Sequence, residues 1–492
     1  MSETQTAAVV EQFGQPYTIK QMPRPKDPRG QDILIRVLAA SYCHTDAVFA
    51  AGLLSQGLPR IGCHEFAGEV VVVGPDVPSS RGMVVGRRVG VPGRAYHPCG
   101  TCFECTHPGQ DEMGYSPYCP YAGNLGLTRD GGFQEYCLVD SRQVALLPES
   151  LPTTQAAPLM CAGLTIWSAL QHERVKKAQR VGIIGAGGGL GHIGLQFAAH
   201  LGKDVFAFDA TDHAVELIRK VKTNLGEAGK RVQVSDARTE DPDVIRSKGQ
   251  PVANVSPTEI GLDAVILLPE SQKSFDMGMK LLRNHGTMVV VSFPKDKLAV
   301  SAHDLVFRDI TLVGSLVGRN HQLREMLEFV VKYQVQVQVN TFPFDRLNEL
   351  RGPTNHGEGG KLSVRHNRQT LANYVHNLEN LKTFERFRPK PSNRRGQPPY
   401  TTRMVSSTIQ RVCQLSFADQ SNKHVEQLLL IQAQGLQARG FNTEGKGAEP
   451  VGQQKGTFKV GESVLETPVQ GECPGNKGDT NSNRHTESVN AL

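Results

Sequence analysis

The 492-residue chain has no apolar run approaching the roughly 20 residues that cross a bilayer. Its first stretch, Met1–Lys20, lacks the basic segment and apolar core of a secretory leader. Neither a membrane protein nor a secreted one is expected, and the reading is a cytosolic protein. Charge of one sign is also scarce where folding is expected. The net charge is +6, but His366–Leu492 holds 16 Lys and Arg against 11 Asp and Glu, so the rest of the chain is close to neutral. That balance gives no case for nucleic acid or a membrane surface as partner. With 39% hydrophobic and 21% charged residues, the composition suits a soluble protein, long enough for two ordinary domains and more.

Cysteine, by contrast, is present and clustered. The ten are Cys43, Cys63, Cys99, Cys102, Cys105, Cys119, Cys137, Cys161, Cys413 and Cys473. In a cytosolic chain such clustering points to metal rather than disulfides. Cys99, Cys102 and Cys105 recur every third residue and Cys119 follows, which suits a closed tetrahedral zinc site of structural type. Cys43, His64 and Cys161 are dispersed. A Cys2His set leaves a fourth position open for water or substrate, as catalytic zinc requires, but spacing alone does not assemble it.

The patterning changes along the chain. Residues 5–150 carry short β-like runs such as Ile33–Leu38 and Glu69–Val73, punctuated by Gly and Pro. From about residue 155, helical segments (Ala162–Gln171, Ile193–Leu201, Ala214–Val221) alternate with apolar strands at 181–184, 205–208, 264–268, 288–291 and 310–313. Continuous apolar strands alternating with helices indicate a doubly wound parallel sheet. After about residue 365 the pattern collapses into a Gln-, Asn-, Ser-, Gly-, Arg- and Pro-rich tail expected to be disordered, apart from a helix-compatible stretch at His424–Arg439.

The strand at 181–184 runs into Gly185-Ala186-Gly187-Gly188-Gly189-Leu190-Gly191, and a helix follows. Glycines let the backbone approach a diphosphate while the helix N-terminus offers free N–H groups. The next strand ends at Asp209, 18 residues beyond Gly191, with no Arg or Lys among Ala210, Thr211 and Asp212. A carboxylate there would bind both ribose hydroxyls of NAD and repel the 2′-phosphate of NADP. An Asp at that point can also simply cap the following helix.

Taken together the motifs resemble the zinc-containing alcohol dehydrogenases of the medium-chain dehydrogenase/reductase family, especially the fungal and yeast type. The matching stretches are Cys43-His44-Thr45-Asp46, His64-Glu65-x-Ala67-Gly68, the cysteine cluster, Asp130–Tyr136, Cys161-Ala162-Gly163-Leu164-Thr165, the glycine loop and Gly314-Ser315-Leu316-Val317-Gly318, in family order over roughly residues 5–364. The resemblance implies a GroES-like catalytic domain over 1–155, a Rossmann domain over 156–317 and a return to the catalytic domain over 318–365, with 366–492 as the tail. It implies two zinc ions per chain and NAD, a small alcohol or aldehyde as substrate, and a homodimer or homotetramer. Cys43, His64 and Cys161 would hold the catalytic zinc, with Glu65 close behind. Asp46 would orient His64. Cys99, Cys102, Cys105 and Cys119 would hold the structural zinc. On the cofactor side stand His44 and Lys361 at the diphosphate, Thr165 at the nicotinamide, and Gly185, Gly188, Gly189, Leu190, Gly191, Asp209 and Val317. The zinc would polarise the alcohol oxygen, Thr45 would handle its proton, and hydride would pass to the nicotinamide.

Several positions depart from the family pattern. Val48 stands where a proton-relay histidine is expected, so the relay must end elsewhere, at His44 or solvent. The loop between Cys105 and Cys119 has 13 residues, longer than usual, with the insert around Pro108–Pro117. Cys63 replaces the glycine that normally precedes the zinc histidine. Phe49-Ala50-Ala51-Gly52-Leu53-Leu54 lacks the tryptophans of ethanol-specific fungal enzymes, and Trp167 is the only Trp, which points to a larger substrate, such as one of secondary metabolism. The tail reads either as a misassigned gene end or as an interaction segment. Two rival readings make different demands on these residues. A zinc-independent quinone or enone reductase on this fold would lack the Cys43, His64 and Cys161 set. A non-catalytic relative acting as an interaction protein would bind partners without needing the zinc.

Overall fold

The computed structural model describes residues 3–54, 57–106, 116–248, 256–351 and 360–365. The expected tail, and all of the insert except its last residues, lie outside the described residues. The first part of the chain runs through β1 (Thr4–Val10), β2 (Thr18–Pro23), β3 (Asp32–Tyr42), α1 (His44–Ala50), β4 (Arg60–Ile61), β5 (Glu65–Val73), β6 (Arg88–Pro92), the short α2 (Phe103–Thr106), β7 (Tyr136–Asp140) and β8 (Ala145–Leu146). Next come α3 (Thr153–Pro158), a π-helical turn (Leu159–Gly163), α4 (Leu164–Gln171), β9 (Arg180–Ile184), α5 (Gly191–His200), β10 (Asp204–Asp209), α6 (Asp212–Asn224), β11 (Val232–Asp236) and α7 (Pro242–Ser247). Then follow β12 (Leu262–Leu267), α8 (Gln272–Leu281), β13 (Leu282–Val290), α9 (Ala302–Arg308), β14 (Thr311–Gly314) and α10 (Asn320–Tyr333), and the chain returns through β15 (Val339–Pro343) and β16 (Lys361–Arg365).

The parallel sheet has the order β11-β10-β9-β12-β13-β14, so the strand order reverses at β9. Its central strands β9, β10 and β12 divide their side chains between two cores. Val181, Ile183, Val205, Ala207, Ala264 and Ile266 belong to one, Ile184, Phe206, Phe208, Val265 and Leu267 to the other. Burial on both faces is why these strands read as continuous apolar runs. In the first part, β3 is the central ribbon. It pairs antiparallel with β5, β7 and β16. This GroES-like, mainly antiparallel sheet has its own core, built on Val37, Phe66, Val91 and Phe133.

The return strand is what joins the two sheets' chemistry. In β16, Leu362 pairs with Tyr42, which places Lys361 beside the end of β3 and next to Cys43. The segment leading there is held by side chains acting as a strand neighbour. Gln155 exchanges two hydrogen bonds with the Val337 backbone (2.9 and 2.8 Å), and Gln196 two with Gln336 (2.8 and 3.0 Å). His192, fully buried in α5, donates from Nδ1 to Gly188 O (2.8 Å) and accepts at Nε2 from Gln338 N–H (3.0 Å). Both bonds require the neutral ring, and burial holds its pKa down to about 4.

Candidate active site

Cys43 is the N-cap of α1, and Asp46 closes the first turn by accepting the Cys43 backbone N–H at Oδ2 (3.0 Å). The other oxygen of this fully buried carboxylate lies 2.9 Å from His64 Nδ1. That bond keeps a proton on Nδ1 and turns Nε2, 3.3 Å from Cys161 Sγ, toward the cysteines, as the nitrogen that would bind a metal. His64 precedes β5, and Cys161 sits in the π-helical turn before α4, a backbone irregularity that is often found at functional sites. Sγ of Cys43, Nε2 or Nδ1 of His64 and Sγ of Cys161 all fall within 4.8 Å of one another. The topology thus assembles the dispersed set that spacing could not.

The residues fit zinc. Two thiolates and an imidazole are a soft, borderline donor set of the kind that selects this ion. The Cys43 thiol lies well below its usual range, first because Cys161 donates a hydrogen bond to it and further through Lys361 and His64. Immediately behind, Glu65 is fully buried and its Oε1 pairs with Lys361 Nζ while accepting Ser41 Oγ–H at 2.8 Å. Its Oε2 accepts Ala162 N–H at 3.3 Å, next to Cys161. Burial raises the Glu65 pKa to about 7 even with the ammonium present. The resemblance placed Lys361 at the cofactor diphosphate. Its ammonium is bonded to Glu65 and to Tyr42 O (3.2 Å), and its stem lies against Gly189, where an added Cβ would sit 2.8 Å from Lys361 Cδ. One lysine therefore links the metal set to the glycine loop.

Cys99, Cys102, Cys105 and Cys119 also converge, with all four Sγ atoms within 4.8 Å. Cys119–Cys99 and Cys102–Cys119 are 3.7 and 3.8 Å apart. A tetrahedron with zinc–sulfur bonds of about 2.3 Å has edges of about 3.8 Å, so the spacing fits the ion. Backbone N–H groups of Thr101 (3.5 Å) and Cys102 (3.3 Å) point at Cys99 Sγ and hold its pKa down to about 6. Cys119 joins its partners although the longer loop separates it from them.

The glycine loop lies between β9 and α5, at the strand-order reversal where doubly wound sheets take their ligands. Gly185 has φ +83°, and a Cβ at Gly191 would lie 2.1 Å from Gly185 O, so both positions need glycine. Gly188 N–H donates to Gly185 O at 3.1 Å, and Leu190 is the N-cap of α5. Asp209 ends β10 and accepts Gly187 N–H at 2.9 Å. It does not cap α6, because Thr211 does, accepting from Ala214 N–H at 3.3 Å. Thr165 is buried in α4 one turn after Cys161. Val317 holds φ +33°, an unusual conformation for a β-branched residue, between β14 and α10. Thr45 is half-buried with its hydroxyl 3.9 Å from Cys43 Sγ. His44 Nε2 lies 3.0 Å from Glu270 Oε1 across the crevice.

Sequence reasoning missed Ser41, Gly93, Glu270 and the conformation of Cys63. Gly93 donates its N–H to His64 O (2.7 Å), and a Cβ there would meet His64 Cβ at 2.5 Å. Cys63 has φ +78°, the reason a glycine normally stands there, and its buried thiol points at Ser41 O and Glu65 O. The signal at Gly93 is a glycine beside a strand end, and at Cys63 the departure from glycine. For Ser41 and Glu270 the sequence carries none. Phe49 and Ala50 belong to the core, with Phe13 edge-on to Phe49, and Leu53 and Leu54 are exposed. Trp167 packs on Phe197 and Phe329 in the other core.

Comparison with known proteins gives two family models. One, the alcohol dehydrogenase GroES-like domain, matches residues 29–149, and the other, the zinc-binding dehydrogenase, matches residues 189–332. An alcohol dehydrogenase of Geobacillus stearothermophilus is 32% identical over 347 residues, covering 70% of this chain and 94% of the relative. Alcohol dehydrogenase 1 of Neurospora crassa is 33% identical over 354 residues, covering 71% and 93%. Among solved structures, an alcohol dehydrogenase of the hyperthermophilic archaeon Aeropyrum pernix superposes with a TM-score of 0.61 at 26% identity, covering 73% of this chain and 99% of that one.

Proposed function

This chain belongs to the zinc-binding alcohol dehydrogenases of the medium-chain dehydrogenase/reductase family, and from that premise we propose that it uses NAD, two zinc ions and a substrate bulkier than ethanol. The observation that carries the reading is the convergence of Cys43, His64 and Cys161 within 4.8 Å, linked through Glu65 and Lys361 to the glycine loop. When bound, zinc supplies a Lewis acid for the substrate oxygen and NAD a hydride acceptor. The chain's own residues do the rest. Asp46 fixes the tautomer and orientation of His64. Lys361 and Ser41 hold the Glu65 carboxylate behind the metal ligands. Thr45 presents the hydroxyl that accepts the substrate proton, and since Val48 has no group to pass it on, the proton leaves by His44 or solvent.

On the cofactor side, Gly185, Gly188, Gly189, Leu190 and Gly191 form the diphosphate turn, with Thr165 and Val317 toward the nicotinamide. Asp209, free of a capping duty, is placed to hold the ribose hydroxyls and to repel a 2′-phosphate. The absence of a tryptophan wall supports the larger substrate, since Trp167 is spent in the core. Cys99, Cys102, Cys105 and Cys119 hold the second, structural zinc. The domain limits follow the resemblance, with the first change at 155/156 and the return at 317/318. A homodimer or homotetramer in the cytosol completes the proposal, supported by Val306 and Phe307, each 72% exposed on α9 beside the edge strand β14. No described helix is long and apolar enough to cross a membrane.

The experiment is NADH formation by the purified full chain on primary, secondary and aromatic alcohols, with NADP as the alternative cofactor and a zinc chelator as control. Turnover with NAD, lost to the chelator and highest on bulky alcohols, is the expected result. Activity confined to ethanol would refute the substrate proposal, and a preference for NADP would refute the role of Asp209.

A further inference from the structure

His44 and Glu270 come from different parts of the molecule. His44 opens α1, directly after a metal-ligand cysteine. Glu270 lies in the short connection between β12 and α8. Their side chains, 57% and 39% exposed, meet at 3.0 Å. Phe293, from the segment after β13, stands beside them with its ring centroid 6.4 Å from that of His44. The position of Glu270 is fixed by its neighbour. A Cβ at Gly185 would lie 3.3 Å from Pro269 Cδ, so Pro269 abuts the first turn of the glycine loop, and Ser292 Oγ donates to Pro269 O at 2.9 Å. A carboxylate is thus held at the edge of the diphosphate turn and reaches across the crevice to an imidazole.

We propose that Glu270 sets cofactor affinity by competing with the cofactor diphosphate for His44. The inference rests on the reading above, in which His44 faces the diphosphate. Two anionic groups cannot share one imidazole N–H donor. In the cofactor-free protein the donor is given to Glu270, and binding exchanges carboxylate for diphosphate. The same carboxylate, released beside the bound anion, repels it. Affinity is lower than the glycine loop alone would give, and cofactor release is faster. Glu270 is therefore a positioning residue that acts through His44.

The test is NADH binding to the zinc-loaded full chain, followed by cofactor fluorescence at low and high ionic strength. It compares the native protein with Glu270→Gln, Glu270→Ala, His44→Gln and the double variant Glu270→Gln/His44→Gln. Removing a partly exposed carboxylate–imidazole contact is worth up to about fivefold in affinity, so both Glu270 variants should bind NADH up to about fivefold more tightly at low salt. The gain should shrink as salt screens it. In the His44→Gln background the gain from Glu270→Gln should shrink to the part that comes from relieved repulsion, the part that high salt screens, and this non-additivity is what a purely structural role for either residue would not produce. Weaker or unchanged binding in both Glu270 variants, with native binding intact, would overturn this inference and leave the proposed function standing. Native protein that does not bind NADH at all would overturn both.

Discussion

The two metal-ligand clusters differ in nearly every physical respect. Cys99, Cys102, Cys105 and Cys119 come from one short stretch of chain, lie partly at the surface, and take support from local backbone N–H groups. Cys43, His64 and Cys161 are drawn together by β3, β5 and the π-helical turn. They are backed by a buried network of Asp46, Glu65, Lys361 and Ser41. The first arrangement, with four donors, would make a closed site that ties down a loop. The second, with three donors, would leave a fourth position for substrate, and its residues are surrounded by groups that fix charge and orientation. The comparison teaches that the number of donors says less about a zinc site's task than the shell behind them.

Substitutions can break this contrast, starting from the largest effect. His64→Ala should lower alcohol turnover by at least about a thousandfold, the scale of several kcal/mol of lost Lewis-acid stabilisation. The fold should persist, because the four-cysteine cluster is untouched. Steady-state kinetics and circular dichroism check both, and residual activity within about tenfold of native would contradict the assignment. Lys361→Met leaves the fully buried Glu65 without its cation. Breaking one partner of a buried pair costs about 3–5 kcal/mol, which urea unfolding would read as a lower midpoint. No equivalent pair stands behind the four-cysteine cluster among the described residues, so no charged substitution there should match it.

Away from both clusters, the ring of His192 serves as a control on the joint between the sheets. Its folded pKa of about 4 lies below the ordinary 6.5, so the neutral ring is favoured by folding. The stabilisation is complete above pH 6.5 and is lost as pH falls through 4, amounting to about 3 kcal/mol. Urea stability measured across that window should fall, and His192→Gln, which can keep both hydrogen bonds, should flatten the fall. An unchanged slope in that variant would rule the residue out. Asp46→Asn should weaken metal affinity or activity about 10–100-fold by loosening the orientation of His64. Titration with a competing chelator would show it. The smallest effect is expected for Cys63→Gly. Relief of a left-handed backbone, worth about 1–2 kcal/mol, offsets the lost buried thiol, so the urea midpoint should stay near native or rise. A loss above about 2 kcal/mol would mean that the thiol's packing dominates.

The same contrast explains how much could be read in advance. The four-cysteine cluster was legible from spacing because its geometry is local. The glycine loop and Asp209 were legible because a strand and a helix flank them, and the alternation of apolar strands and helices gave the parallel sheet. Cys43, His64 and Cys161 were legible as a dispersed donor set but were joined into one site only through resemblance, since their convergence depends on how β3, β5 and the turn before α4 pack. Lys361 was recognised, but its bond to Glu65 arises from the pairing of β16 with β3, which no local pattern encodes. Ser41 and Glu270 were invisible for the same reason. The Cys63 carbonyl packs against Gly126 and Gly131, where added Cβ atoms would lie 2.5 and 1.9 Å from its oxygen, and it accepts Gly132 N–H at 2.9 Å, contacts between distant segments that no local pattern encodes.

The most direct test of the account is the zinc content of the purified chain beside that of Cys161→Ser, measured by elemental mass spectrometry. The account predicts two zinc ions in the native chain and one in the variant, with the variant still folded. One zinc in both, or two in both, would contradict the assignment of a catalytic zinc to Cys43, His64 and Cys161.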